Sequence, residues 1–195
     1  MAGIDSNKVY LPSPDQSAAT GAIAKAPVGT TMPTDARTAL PSAWTTGGYV
    51  AEGGLTLNIN RSTTTIKDWA LSSVRVATTD FETTIEFEWL QTDEFAAVTM
   101  FGAGNVSKTA ATTTAGEILN IGIGPAMPES GAFVFSMKDG DRRVRILAPN
   151  AQVTAVGSPT FQPGDAVKWP VTMTCYDDGT GHSVNIIFDA GNMSA

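Results

Sequence analysis

His182 is the one histidine of this 195-residue chain and Cys175 the one cysteine, so Ser-His-Asp or Cys-His nucleophile chemistry would have to run through these two positions. They flank a single turn, Asp177-Asp178-Gly179-Thr180-Gly181, and could face each other across a strand ladder. Nothing in the sequence marks either as activated; a buried thiol and a polar residue beside a turn account for both. One Cys and one His are also too few nitrogen and sulfur ligands for a structural zinc site. The acidic turns Asp177-Asp178-Gly179 and Asp139-Gly140-Asp141 lack the alternating oxygen ligands and closing Glu of an EF-hand, and read as hairpin turns. Gly122-Ile123-Gly124 runs into Pro125 without the third glycine of a dinucleotide fingerprint. Glu86 and Glu88 share a strand face at roughly 7 Å, a spacing used by some glycosidases and present on any polar sheet face. Arg142, Arg143 and Arg145, after Lys138, form a basic cluster too small and too poor in aromatics for a nucleic-acid footprint. Their better use is bidentate pairing with carboxylates, within the subunit or across an interface. These residues predict no catalytic centre, no metal and no cofactor.

Composition narrows the class further. Charged residues are only 16% of the chain against 42% hydrophobic, so Thr, Ser, Asn, Gly and Ala must cover much of the surface. Charge is what usually keeps monomers apart, and a weakly charged surface suits a protein packed against copies of itself. The net charge of −7 argues against affinity for DNA, which is gained by neutralising phosphates with Lys and Arg. An intramolecular disulfide is impossible with one Cys, and no apolar run is long enough for a signal peptide core or a membrane-spanning helix.

The elements that would position such residues are mostly strands. Residues 1–48 are rich in proline (Pro12, Pro14, Pro27, Pro33, Pro41) and poor in large apolar side chains. They are expected to form an extended arm, mobile alone and ordered across a neighbouring subunit, with Tyr10, Leu11, Ile23, Leu40 and Trp44 as its anchors. A β domain over 49–195 follows. From Phe81 to Trp89, Phe81, Thr83, Ile85, Phe87 and Trp89 alternate with Glu82, Thr84, Glu86 and Glu88, giving one core face and one acidic face. Thr92 or Asp93 caps the single expected helix, to Phe101, with Phe95, Val98 and Phe101 on its buried stripe and Gly102 as its stop. Residues 103–116 read as a loop. Strands are expected at 117–123, 132–138, 142–148, 166–176 and 182–188, with a two-residue turn at Asp139-Gly140. Short strands with one helix describe an all-β sandwich or barrel.

The stretch from about residue 20 to 100 resembles the major tail tube proteins of long, non-contractile bacteriophage tails. The resemblance rests on the leader APVGTTMPTDA, the strand GYVAEGGLTL, the segment Ile66-Lys67-Asp68-Trp69 with Val74-Arg75, and the alternating strand after Phe81; it fades after Gly102. It implies a β-sandwich or barrel-like domain with one flanking helix and six copies closing into rings. Rings would stack into the virion's tail tube, made in the host cytoplasm, through which the genome leaves. It further implies partners among the tape-measure, tail-tip and terminator proteins, and DNA that passes without sticking. On that expectation the acidic face of Glu82, Glu86 and Glu88 lines the lumen. Alternative readings are a tail terminator or head decoration subunit on a related scaffold, or a carbohydrate-binding β-sandwich. The last would display clustered exposed aromatics, whereas most aromatics here fall on apolar phases.

Overall fold

The alternation ending at Trp89 builds the centre of the molecule. In the computed structural model, which describes residues 4–5, 8–16 and 20–191, Ile85, Phe87 and Trp89 are 0%, 5% and 0% exposed. Phe87 meets Trp89 and Phe135 edge-on at 5.1 and 5.9 Å between ring centroids, a preferred aromatic geometry. The strands are β1 (Ser13–Pro14), β2 (Ile23–Ala26), β3 (Thr45–Gly47), β4 (Val50–Lys67), β5 (Ser73–Trp89), β6 (Val106–Thr109), β7 (Ile118–Ile121), β8 (Gly131–Asp139), β9 (Arg142–Val156), β10 (Trp169–Cys175) and β11 (Asn185–Asp189); α1 is Glu94–Phe101.

All but β6 and β7 join one antiparallel sheet, in the order β3-β2-β8-β9-β10-β5-β4, with β1 beside β8 and β11 beside β9. The sheet folds over on itself because β9 serves both halves. Its first part, 142–148, pairs with β8 and β11, and its second, 151–156, pairs with β10. The turn-over lies at Pro149-Asn150, where the β8 register slips between Phe133 and Gly131. Ile23, Phe133, Phe135 and Ile146 of one half then face Ile85, Phe87, Val153, Val171 and Met173 of the other. The result is a sandwich and not a closed barrel.

The first half-sheet is buried on both faces. On its outer side Ala24, Ala26, Val134 and Leu147 form a second core with Trp44, closed over by Met32 and Leu40. This corrects the expectation of a separate arm over 1–48. Ile23 is 2% exposed in the main core, Trp44 is 7% exposed, and Leu40 packs half-buried against the same outer face, so these three anchors are spent inside the subunit. Tyr10 is likewise engaged at home, 5.2 Å from the Phe188 ring and beneath the Arg142 guanidinium. The physical reason is that alanine does the packing: Ala22, Ala24, Ala26 and Ala36 are 8%, 2%, 4% and 3% exposed, burial that a tally of large side chains overlooks. The parts of the expected arm at 1–3, 6–7 and 17–19, and the chain end at 192–195, lie outside the described residues.

Helix α1 starts where the capping argument puts it. The Asp93 carboxylate accepts from the Ala96 N–H at 2.8 Å, and Gly102 closes the helix at φ 85°. Its buried face differs: Ala96, Ala97, Thr99 and Met100 are buried, whereas Phe95, Val98 and Phe101 are only half-buried. Two strand expectations also change. Val106–Thr109 is a strand, paired with Ile118–Ile121 beside α1, and β4 and β5 run on as a long ribbon to Lys67 and back from Ser73.

Candidate assembly surface

The outer face of the second half-sheet is built by register. Along β5, Glu82, Thr84, Glu86 and Glu88 take the phase opposite to the core. Asn60, Asn58 and Thr56 of β4 stand opposite Glu82, Thr84 and Glu86, and Thr174, Thr172 and Pro170 of β10 stand opposite Thr84, Glu86 and Glu88. Gln152 pairs with Thr174, and the bulged Thr154 hydroxyl meets that of Thr174 at 3.0 Å. Asn58 donates to Glu86 at 2.9 Å and to Thr84 at 3.3 Å, so the face is cross-linked by short polar side chains. Over the span paired with β10 and one step beyond, Glu82, Glu86 and Glu88 are the charged side chains of β5 on this face, with no Lys or Arg; Asp80, opposite Ser62, continues the same phase into the ribbon, and Arg75, opposite Ile66, follows past the bulge. Glu82 and Glu86 are exposed and Glu88 half-buried. Phe81 departs from the expected core phase, 46% exposed with the Arg61 guanidinium over its ring.

This face ends in two open edges. Among the described residues β4 pairs with β5 alone, and residues 152–156 of β9 pair with β10 alone. Unpaired edges of that length are templates for pairing with another chain.

The basic cluster sits on the opposite half. Arg142 reaches Asp139 at 3.5 Å and the Val9 carbonyl at 2.9 Å, and Arg143 reaches Asp15 at 3.3 Å. Arg145, 6% exposed, donates to the Asp35 and Thr38 carbonyls at 2.9 and 2.8 Å and to Ser136 at 3.3 Å. It therefore pins the 27–44 segment over the sheet. Arg37 adds a second clamp, to the Asp141 carbonyl at 2.6 Å and the Asp189 carboxylate at 2.5 Å. The Asp35 carboxylate, accepting from the Thr38 N–H and hydroxyl and the Arg37 N–H, is held down at about 2. These strap contacts were not foreseen; the Asp35-Ala36-Arg37-Thr38 turn chemistry was the available signal. Leu11 stays 77% exposed, its N–H donating to Asp139 at 3.2 Å.

No group of three or more metal-ligating side chains exists among the described residues. Cys175 lies in the core with its thiol pushed up to about 12 by burial, the reverse of an activated nucleophile. His182 is on the surface, with Nδ1 3.2 Å from the Thr180 hydroxyl. The two are not brought into contact by any hydrogen bond. The 177–181 turn is not the hairpin turn its sequence suggested: it crosses from β10, on the second part of β9, to β11, on the first, with Asp177 and Asp178 accepting from the N–H groups of Gly179 and Thr180 at 2.6 and 2.8 Å; the acidic turn at 139–141 does close the β8–β9 hairpin.

A family model described as "Phage tail tube protein" matches residues 14–193. The chain belongs to that family. Tail tube membership makes it a structural, tube-forming virion protein and sets aside the terminator, decoration and carbohydrate-binding alternatives. One similar solved chain comes from the extended-state sheath–tube complex of an extracellular contractile injection system, PVC, with TM-score 0.41 and 13% identity over 70% of this chain and 84% of that one. No curated protein matches the sequence. Among the described residues no helix is long and apolar enough to cross a membrane.

Proposed function

We propose that this tail tube protein closes into six-membered rings by pairing β4 of one copy with the free edge of β9 in the next, and that the acidic outer face of β9, β10, β5 and β4 lines the bore. The observation that carries the reading is that one face combines a mostly polar, acidic surface with an open strand edge on each side. Each copy supplies four strands to such a wall, so six supply 24. At ~4.8 Å per strand the circumference is about 115 Å, rising to about 150 Å if the strands tilt by about 40°. Taking roughly 5 Å from each side for side chains leaves a bore between about 27 and 38 Å, half the ~10 Å spacing between packed sheets on each side. Across the four-strand wall phosphate meets carboxylates and no Lys or Arg, so DNA passes without adhering.

The role is structural and not enzymatic. Stacked rings form the conduit of a long non-contractile tail, with tape-measure, tail-tip and terminator proteins as partners. Among the N-terminal anchors, Leu11 is the one left free to reach a neighbour. Electron microscopy and light scattering over a concentration series test the proposal. Hollow stacks of rings are the expected result, and protein that stays monomeric at high concentration, with or without tail-initiation partners, would contradict it.

A further inference from the structure

The least self-sufficient part of the molecule is the outer ribbon of β4 and β5. β10 ends opposite Thr83, so β5 from Glu82 back to Ser73 pairs with β4 alone. At ~3.4 Å per residue this stretch is about 30 Å long, with Thr78, Asp80 and Phe81 at its base still lying beside the 181–186 segment. A lone two-stranded ribbon is marginal in water, yet this one displays Ile66, Trp69, Leu71, Val74 and Val76 at 50% to 102% exposure. Its apex is nevertheless a built turn. The Ser72 N–H donates to the Asp68 carboxylate at 2.7 Å, the Asp68 N–H donates to the Ser72 carbonyl at 2.9 Å, and Leu71 is the one described non-glycine residue at positive φ, 64°. Turn geometry that holds a leucine in the left-handed region and a tryptophan fully in solvent fits a surface waiting for a partner.

A complementary surface lies on the same chain. Beside α1 a groove of about 540 Å³ runs between the half-exposed Phe95 and Val98 and the 49% exposed Val28. Glu94 and Glu129 stand on this groove against one cation, Lys25, and Glu94 shares Lys108 with Glu117 at 3.5 and 3.1 Å, leaving carboxylate in excess. The ribbon end carries the opposite sign: Lys67 and Arg75 flank the apex and form no ion pair with a described carboxylate. A second apolar groove, beside β9 and lined by Ile123, Met127 and Trp169, has no acidic side chain to match them.

We propose that Trp69 and Leu71 of one copy seat in the α1 groove of a second copy, with Lys67 and Arg75 meeting Glu94 and Glu129. The inference rests on the tube reading and names the contact that joins copies beyond strand-edge pairing. It also gives a use to the exposed sides of Phe95, whose ring meets Trp89 edge-on at 5.9 Å at its inner side, and of Val98.

The test uses two populations of full-length chain, one carrying Ala70→Cys at the apex and the other Val28→Cys at the groove, joined by a short bismaleimide. The native Cys175 is buried and stays silent. Polymers are first confirmed by microscopy. Cross-linked dimers of the two variants in polymers, and not in dispersed protein, are expected. In addition, Glu94→Lys with Glu129→Lys should raise the concentration needed for polymerisation by about tenfold or more, with recovery on adding Lys67→Glu and Arg75→Glu. Polymers in which Ala70→Cys fails to cross-link to Val28→Cys, or cross-links instead to Met127→Cys beside β9, overturn this contact and leave the tube reading intact. Native protein that never polymerises removes both.

Discussion

Replacing Glu82 and Glu86 by Lys changes the sign of the proposed bore while sparing the fold. From Glu82 to Glu88 each copy presents three carboxylates on that face, a charge of −3, and the double variant presents +1 there, because each exchange shifts the charge by two; Asp80, further along the same phase, is unchanged. For six copies this is −18 against +6 in each ring. Both side chains are exposed; the one identified bond lost is Asn58 to Glu86, and Asn58 keeps Thr84 as an acceptor. Subunit stability should therefore fall by no more than about 0.5–1 kcal/mol. The effect on DNA is far larger and depends on salt. The bore of about 27–38 Å derived from strand spacing is several Debye lengths across at 0.15 M salt, about 8 Å each, and about one at 0.01 M, about 30 Å. In co-sedimentation with a short DNA duplex, native tubes should leave the duplex in solution. Reversed tubes should carry it down at low salt, protected from nuclease, and release it steeply as salt rises, by roughly 10³-fold or more between 50 and 200 mM if six or more phosphates are contacted. Duplex that sediments but is digested as fast as free DNA would place these residues on the outside of the tube. No retention at low salt would refute the electrostatic argument itself.

Gly48, at φ 72°, would place an added Cβ 2.1 Å from the Trp89 ring, so Gly48→Ala should destabilise the subunit by about 2–4 kcal/mol in urea unfolding, and a change under 1 kcal/mol would contradict that packing. The Asp35 carboxyl is held below its unfolded value, so its stabilisation of the 27–44 strap is complete above about pH 4 and lost as pH falls towards 2. Hydrogen exchange in that segment should rise over this window and be raised already at pH 6 in Asp35→Asn. Trp69 is exposed while Trp44, Trp89 and Trp169 are buried, so polymerisation should shift tryptophan emission to the blue, and Trp69→Phe should abolish the shift. Cys175 should stay unreactive towards thiol reagents at pH 8 until the subunit unfolds.

What could be read from the sequence was whatever one strand or one helix end decides by itself. The alternation from Thr83 to Trp89 needs only a core on one side, and Asp93 and Gly102 cap α1 through bonds within a turn. The β8–β9 hairpin was legible from Asp139-Gly140, although its two-residue turn is Gly140-Asp141, one position on, with Asp139 paired to Arg142 and positive φ at Gly140 alone, 58°. What escaped depends on partners distant in sequence. Ile23–Ala26 looks like part of a loose leader until β8 and β3 flank it, because three of its neighbours in the core are alanines. β9 continues past Pro149 because the sheet folds over there, and a proline ordinarily signals a strand's end. The ribbon from Asn60 to Glu82 has too many threonines for apolar alternation. Phe95, read as core, does pack edge-on against Trp89 while leaving one side exposed, because α1 lies at the rim of the core. The acidic face was visible as a phase of one strand, but its four-strand extent and open edges required the register.

Cryo-electron microscopy of the polymerised native protein tests the account most directly. It should show a hollow tube whose innermost layer holds 24 strands per ring, β4 of each copy hydrogen-bonded to β9 of the next, with Glu82, Glu86 and Glu88 pointing into a bore between roughly 27 and 38 Å wide. A polymer with those three carboxylates on its outer surface, or with β4 and the β9 edge left unpaired between copies, would contradict it.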